Sequence, residues 1–202
     1  MALRTEQFRP LLENHRYKQD GEGMCWPALM QAVLHSRGSL DGDRQKLIQE
    51  MRTTVSGGTD DAGIITLLNR KGIRWHTEHH CPFDRLVSLT ERLPIYADIF
   101  ASVWDRRVSR GYNEINDPPE SHAVAVLETP LFGDRRRVRF YDPSTHLGGI
   151  LDWSQEEWEK WWNDGPPSGL EADNSGNLVP YHPAWVMIVG LSRGEICELV
   201  LK

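Results

Sequence analysis

Cysteine is scarce in this chain. Its 202 residues include three, Cys25, Cys81 and Cys197, odd in number and widely spaced. That excludes the disulfide framework that holds small secreted domains together. It suits a reducing compartment, where Cys25 stays a free thiol. Long apolar runs are missing as well. No stretch approaches the roughly 20 residues a helix needs to cross a bilayer, so no membrane association is expected. The opening MALRTEQFRP lacks the apolar core of a secretory signal. The expected location is cytoplasmic, or outside as an effector secreted without a cleavable signal peptide. Positive charge is not in excess: 23 Lys and Arg face 29 Asp and Glu, a net charge of −6, which argues against a nucleic-acid partner. The one basic run, Arg135-Arg136-Arg137-Val138-Arg139, falls on a strand-like segment and reads as a solvated strand edge. The chain has no internal repeat, no HExxH pattern and no phosphate-cradling glycine loop, and no cofactor is expected. His76, His79, His80 and Cys81 are a dense set of potential zinc ligands, with His76 and His80 on one face if a strand runs through them. No second cluster stands at a zinc-finger distance, so they read as a polar edge and no metal is expected.

What is present is core material. The chain is 39% hydrophobic with eight tryptophans, enough for a folded domain rather than a disordered chain. A single domain over 1–202 is expected, with a helical half over about 1–92 and a sheet half over about 93–202. Apolar periodicity predicts helices over about 25–36, 43–53 and 60–72. A short strand at 73–77 and a helix at about 83–91 follow. Strands are predicted at 93–100, 123–128 and 136–141, a helix at 155–162, and late strands at 185–191 and 196–201. Trp153, Trp158, Trp161 and Trp162 are expected to dock that late helix on the sheet. Helices first and sheet second make an α+β fold. The polar stretches 102–121 and 163–182 are long for a compact domain and read as mobile segments or lids.

The chemistry starts in QDGEGMCWPALMQAVLHSRG, residues 19–38. Cys25 opens a helix, where free backbone N–H groups stabilise a thiolate, and Pro27 suits a first turn. A nucleophilic thiol needs a base, and His122 in SHAVAVLE stands at the mouth of a strand. The base needs an orienting acceptor, and Asp142 in RFYDPSTHLGG closes the next strand, where Pro143 forces a turn. If these strands pair antiparallel through a loop near 130–134, His122 and Asp142 become neighbours. Gln19 could donate its amide to a developing oxyanion beside the backbone N–H of Cys25. His182 in YHPAWVMIVG is a rival base but has no acidic or amide residue in an equivalent turn.

Glutamine, helix-opening cysteine, strand-opening histidine and strand-closing aspartate, in that order, resemble the papain-like cysteine peptidases. The resemblance is nearest to the bacteriocin-processing (double-glycine) peptidase-like branch. It is carried by QDGEGMCWPALMQAVLHSRG, LPIYADIF, SHAVAVLE, YDPSTHLGG and WSQEEWEKWW. Trp26 departs from it, since that branch commonly has glycine there. The resemblance implies a papain-like fold with a helical half packed on a twisted antiparallel sheet. It implies a triad of Cys25, His122 and Asp142, with Gln19 at the oxyanion hole. Trp26, Ser121 and His146 are the candidates for lining the substrate cleft. The implied activity is hydrolysis of a peptide bond in a specific protein or peptide substrate, with room for a regulatory partner protein. The same groups serve isopeptidases, deamidases and transglutaminases, and a non-catalytic binding module on this fold is the remaining alternative.

Overall fold

The computed structural model describes residues 17–19, 24–38, 43–53, 59, 61–94, 97–103, 122–144, 149–163, 170–172, 178–180, 184–190 and 194. The strand expected at 196–201 and most of the two long polar stretches lie outside these residues.

Helix α1 spans Cys25–Ser36 and is buried along Cys25–Leu34. A helix apolar on nearly every side belongs inside a fold. Gly38 ends it at φ 72°, with its N–H on the His35 carbonyl, a left-handed position that glycine takes without strain. Helix α2, Arg44–Glu50, is capped by Asp43, whose carboxylate accepts from the Lys46 N–H at 2.9 Å. Helix α3 covers Asp61–Arg70, strand β1 Trp75–Glu78 and helix α4 Phe83–Arg92. Then come β2 (Asp98–Val103), β3 (His122–Glu128), β4 (Leu131–Phe132), β5 (Arg135–Asp142) and β6 (Gly149–Ser154). Helix α5 (Gln155–Asn163), the small pair β7 (Leu170–Ala172) and β8 (Leu178–Pro180), and β9 (Val186–Val189) complete the described elements.

The main sheet has seven strands in the order β1-β9-β2-β3-β5-β4, with β6 also paired to β5, and every pairing is antiparallel. Both faces are covered. Along β9, Met187 and Val189 join the core under α1, α2 and α3, while Val186 and Ile188 join the core under α4 and α5. In β2, Phe100 faces the first core and Ile99 and Ala101 the second. A sheet buried on both sides needs runs of apolar residues instead of alternation. That is why DIFASV is buried throughout and HAVAVLE almost throughout.

The strand predicted at 93–100 runs later, at Asp98–Val103. Leu93 caps α4 and the Ala97 N–H turns back onto the Pro94 carbonyl, so Leu93, Pro94 and Ala97 precede the strand without belonging to it. Strand β6 was not anticipated: Gly149, Asp152 and Ser154 dilute its pattern, yet it pairs with β5 over six positions. The basic run is not an edge either. β5 has β3 and β4 on one side and β6 on the other, and three of its four arginines meet acids. Arg137 and Arg139 reach Asp152 at 2.7 and 2.9 Å, Arg139 also pairs with Glu128, and Arg136 meets Glu91 at 2.8 Å. The tryptophans dock α5 as expected. Trp158 and Trp162 are buried against Phe140 and Trp153, while Trp161 stays half-buried with Lys160 Nζ 4.6 Å from its ring centre.

One ion pair ties β1 to α4. Arg85 grips Glu78 with two hydrogen bonds of 2.6 and 2.9 Å, and His76 adds its Nε2 at 3.7 Å. Burial opposes the Glu78 charge, but hydrogen bonds from His76 and Arg85 and the positive charge beside it hold the pKa down at about 2, from 4.5. A depressed carboxylate stabilises the fold above its unfolded pKa and loses that contribution as pH falls through the folded one. Glu78→Gln is therefore expected to lower the urea midpoint at neutral pH and to cost progressively less between pH 4.5 and 2. Equal losses at both ends of that window would rule out the charge as the cause.

Candidate active site

Three element ends converge. Cys25 is the first residue of α1, His122 the first of β3 and Asp142 the last of β5. The antiparallel pairing of β3 with β5 brings the last two together, as the sequence predicts. His122 Nε2 lies 2.8 Å from Asp142 Oδ1. A carboxylate only accepts, so Nε2 carries the proton and Nδ1 is the nitrogen left for the thiol. His122 and the backbone N–H groups of Ala123 and Trp26 stand close enough to the Cys25 sulfur to lower its pKa. All three side chains are buried, Asp142 completely. The Ser144 N–H also donates to Asp142 Oδ1, at 2.8 Å, which fixes the carboxylate in the turn after β5.

The charges follow from this arrangement. Burial pushes the Cys25 thiol up, but the hydrogen bond and charge of His122, with the two backbone N–H groups, outweigh it and lower its pKa from 9.0. Burial disfavours a charged His122, but hydrogen bonds to Asp142 and Cys25 and the negative charge on both raise it to about 10. The two shifts act in one sense, toward a thiolate beside an imidazolium. Such a thiolate can attack a carbonyl without first losing a proton to solvent.

Gln19 is buried at the same corner. Its backbone N–H donates to the Pro143 carbonyl at 2.8 Å, and its Oε1 has no hydrogen-bond partner among the described residues. Trp26, the residue after Cys25, packs into the first core, its ring 5.4 Å from Phe100 and 5.9 Å from Trp185. The next residue of a helix points about 100° away, so a neighbour of the thiol turns inward. Ser121, His146 and the rival base His182 lie outside the described residues.

The zinc reading has no geometric support. Strand β1 ends at Glu78, His80 follows at φ 53°, and no group of His, Cys, Asp or Glu among the described residues could hold a metal ion. Cys81 is buried, with its pKa pushed up to about 12 by burial and by the Glu78 charge, and is inert. Sequence reasoning missed Ser144, although Asp-Pro-Ser is a readable turn. It also missed Arg44, a buried arginine on α2 with no distinguishing pattern around it.

No family model matches the chain, and no curated protein matches it. A solved structure does: the peptidase domain of Streptococcus ComA, a bi-functional ABC transporter involved in a quorum-sensing pathway. The match has a TM-score of 0.56 and 13% identity, and covers 87% of this chain and 99% of that one. The fold is papain-like. At this identity the likeness lies in the backbone, and a papain-like backbone is what sets a helix N-terminus against the ends of two antiparallel strands. The helical packing on a sheet that QDGEGMCW and SHAVAVLE implied is observed, with a second helical layer, α4 and α5, behind the sheet.

Proposed function

We propose that the chain is a cysteine peptidase that cleaves peptide bonds of a specific protein or peptide substrate. Cys25 is the nucleophile, His122 the proton carrier, Asp142 the residue that orients His122, and Gln19 an oxyanion donor beside backbone N–H groups. The observation that carries this is the buried meeting of Cys25, at the N-terminus of α1, with a His122 whose Nε2 is held on Asp142 Oδ1. The likeness to a peptidase domain supports it at the level of fold.

The thiolate adds to the substrate carbonyl, and the oxygen takes the negative charge. The carbon–nitrogen bond then breaks as His122 gives its proton to the leaving amine. Water gives a proton to His122 and adds to the thioester; the carbon–sulfur bond breaks, the acid is released and the thiolate–imidazolium pair returns. The two described cysteines, Cys25 and Cys81, are free thiols, which suits a reducing cytoplasm.

The test is to incubate the chain and Cys25→Ala with a mixed cellular protein extract and compare peptide ends by mass spectrometry. New ends that recur at one sequence context, made only by the unaltered chain, are the expected outcome. A mass shift of about 1 Da with no cleavage would instead identify a deamidase, since both reactions share the acyl-enzyme.

A further inference from the structure

Gln19 must present its amide to an oxyanion, yet no side-chain bond among the described residues holds its Oε1. What is held is the backbone before it. The carbonyl of Lys18 and the N–H of Gln19 belong to one planar peptide unit. The carbonyl accepts a short hydrogen bond from Arg44 Nη1, and the N–H donates at 2.8 Å to the carbonyl of Pro143, the residue after Asp142. Both edges of this plane are therefore fastened, one to α2 and one to the turn that carries the Asp142 carboxylate. The preceding carbonyl, of Tyr17, accepts from the Tyr141 hydroxyl at 3.3 Å, and the Tyr17 hydroxyl meets His35 Nδ1 at 2.9 Å.

Arg44 is itself held in place. It is 8% exposed, and its Nε and Nη2 both donate to Gln31 Oε1 on α1, at 3.2 and 2.8 Å. A surface arginine needs no such fork. A planar guanidinium gripped along its Nε–Nη2 edge holds Nη1 in a fixed direction. That direction is the Lys18 carbonyl. Gln31 lies on the helix that Cys25 opens, so the same rod carries both the thiol and the arginine's anchor.

We propose that Arg44 is a positioning residue that sets the Gln19 amide beside the Cys25 thiol through the Lys18–Gln19 peptide plane, with Gln31 as its anchor. This rests on the reading of Gln19 as the oxyanion donor. The device registers the donor against α1 on one side and against the Asp142 turn on the other. It leaves the thiolate–imidazolium pair untouched, because Arg44 acts on the oxyanion and not on the sulfur.

Two reactions of the full chain separate these roles. p-Nitrophenyl acetate acylates a thiolate: the sulfur–carbon bond forms, an oxyanion develops, and p-nitrophenolate leaves with its electron pair. Water then releases acetate and returns the thiol. Iodoacetamide reacts at a saturated carbon, displaces iodide and forms no oxyanion. Loss of one oxyanion donor costs about 10²–10³-fold, so Gln19→Ala should slow ester acylation by about that factor. Arg44→Met, which misplaces the donor, should slow it by roughly 10- to 100-fold while the alkylation rate and its pH profile stay unchanged. Arg44→Lys should recover part of the loss. On the Gln19→Ala background, Arg44→Met should add nothing further, because it acts through the missing amide. Should Arg44→Met fail to fold, Gln31→Met, which frees the arginine from its anchor, carries the same expectations. The proposal is overturned if the arginine variant slows acylation and alkylation alike, or if its effect multiplies with that of Gln19→Ala. An unaltered chain that neither acylates nor shows a thiolate at neutral pH would overturn the hydrolase reading itself. A normal chain in which Gln19→Ala alone matters would overturn only the role of Arg44.

Discussion

Iodoacetamide is expected to alkylate Cys25 at about pH 6 far faster than it alkylates an ordinary thiol, and His122→Ala is expected to remove that advantage. A free thiol with the ordinary value of 9.0 is about one part in a thousand ionised at pH 6. The pair with His122 removes that penalty by keeping the sulfur charged. A low-pKa thiolate is also a weaker nucleophile, which returns part of the gain, so the difference between the two proteins at pH 6 should be about 100-fold. Peptide hydrolysis loses more, because the same ring must also protonate the leaving amine. Removal of a catalytic histidine costs on the order of 10⁴–10⁶-fold in turnover. Hydrolysis should therefore rise as the thiolate forms and fall again as His122 loses its proton near pH 10, whereas alkylation should not fall on the alkaline side. A Cys25 that titrates like a free cysteine, with a rate indifferent to His122→Ala, would leave only a binding module on this fold.

The site was more legible than the sheet around it. Cys25, His122 and Asp142 each stand at an element end, and element ends announce themselves through Pro27, the first residue of HAVAVLE and Pro143. The meeting of His122 with Asp142 needed only an antiparallel hairpin, which is short-range information. The packing of Trp26 against Phe100 and Trp185 was not legible, because chain proximity to a thiol says nothing about helical direction. Strand β6 escaped because its pairing to β5 depends on hydrogen bonds and on arginine–Asp152 pairs, neither of which leaves an apolar pattern. The second helical layer was hidden for a related reason. An apolar run such as VMIV fits a strand covered on two faces, but the run does not say which helices cover it. Arg44 and Gln31 were invisible individually, since a polar or charged residue in a helix reads as exposed until its partners are placed.

Trp158→Ala is expected to be the most damaging substitution to stability, at about 3–5 kcal/mol. Trp158 has no exposure at all and touches Phe140, Trp153 and Trp162, with ring centres 5.4, 6.2 and 5.6 Å away. The contacts with Phe140 and Trp153 join α5 to β5 and β6. Through Trp162 the helix also reaches the start of β9: its Nε1 donates to the Trp185 carbonyl at 3.2 Å, and its carbonyl accepts from the Ala184 N–H. β9 lies between β1 and β2, so loosening α5 loosens the join between the front of the chain and the rest of the sheet. Domains are stable by roughly 5–15 kcal/mol, so the loss is a large share of the total. A urea titration followed by circular dichroism should show a far lower midpoint, with Trp158→Phe intermediate. Because Trp158 belongs to the core behind the sheet and Cys25 to the core in front, the folded fraction should keep the unaltered alkylation profile. A midpoint shift as small as that of a surface substitution, under about 0.5 kcal/mol, would mean that α5 is not anchored by this cluster.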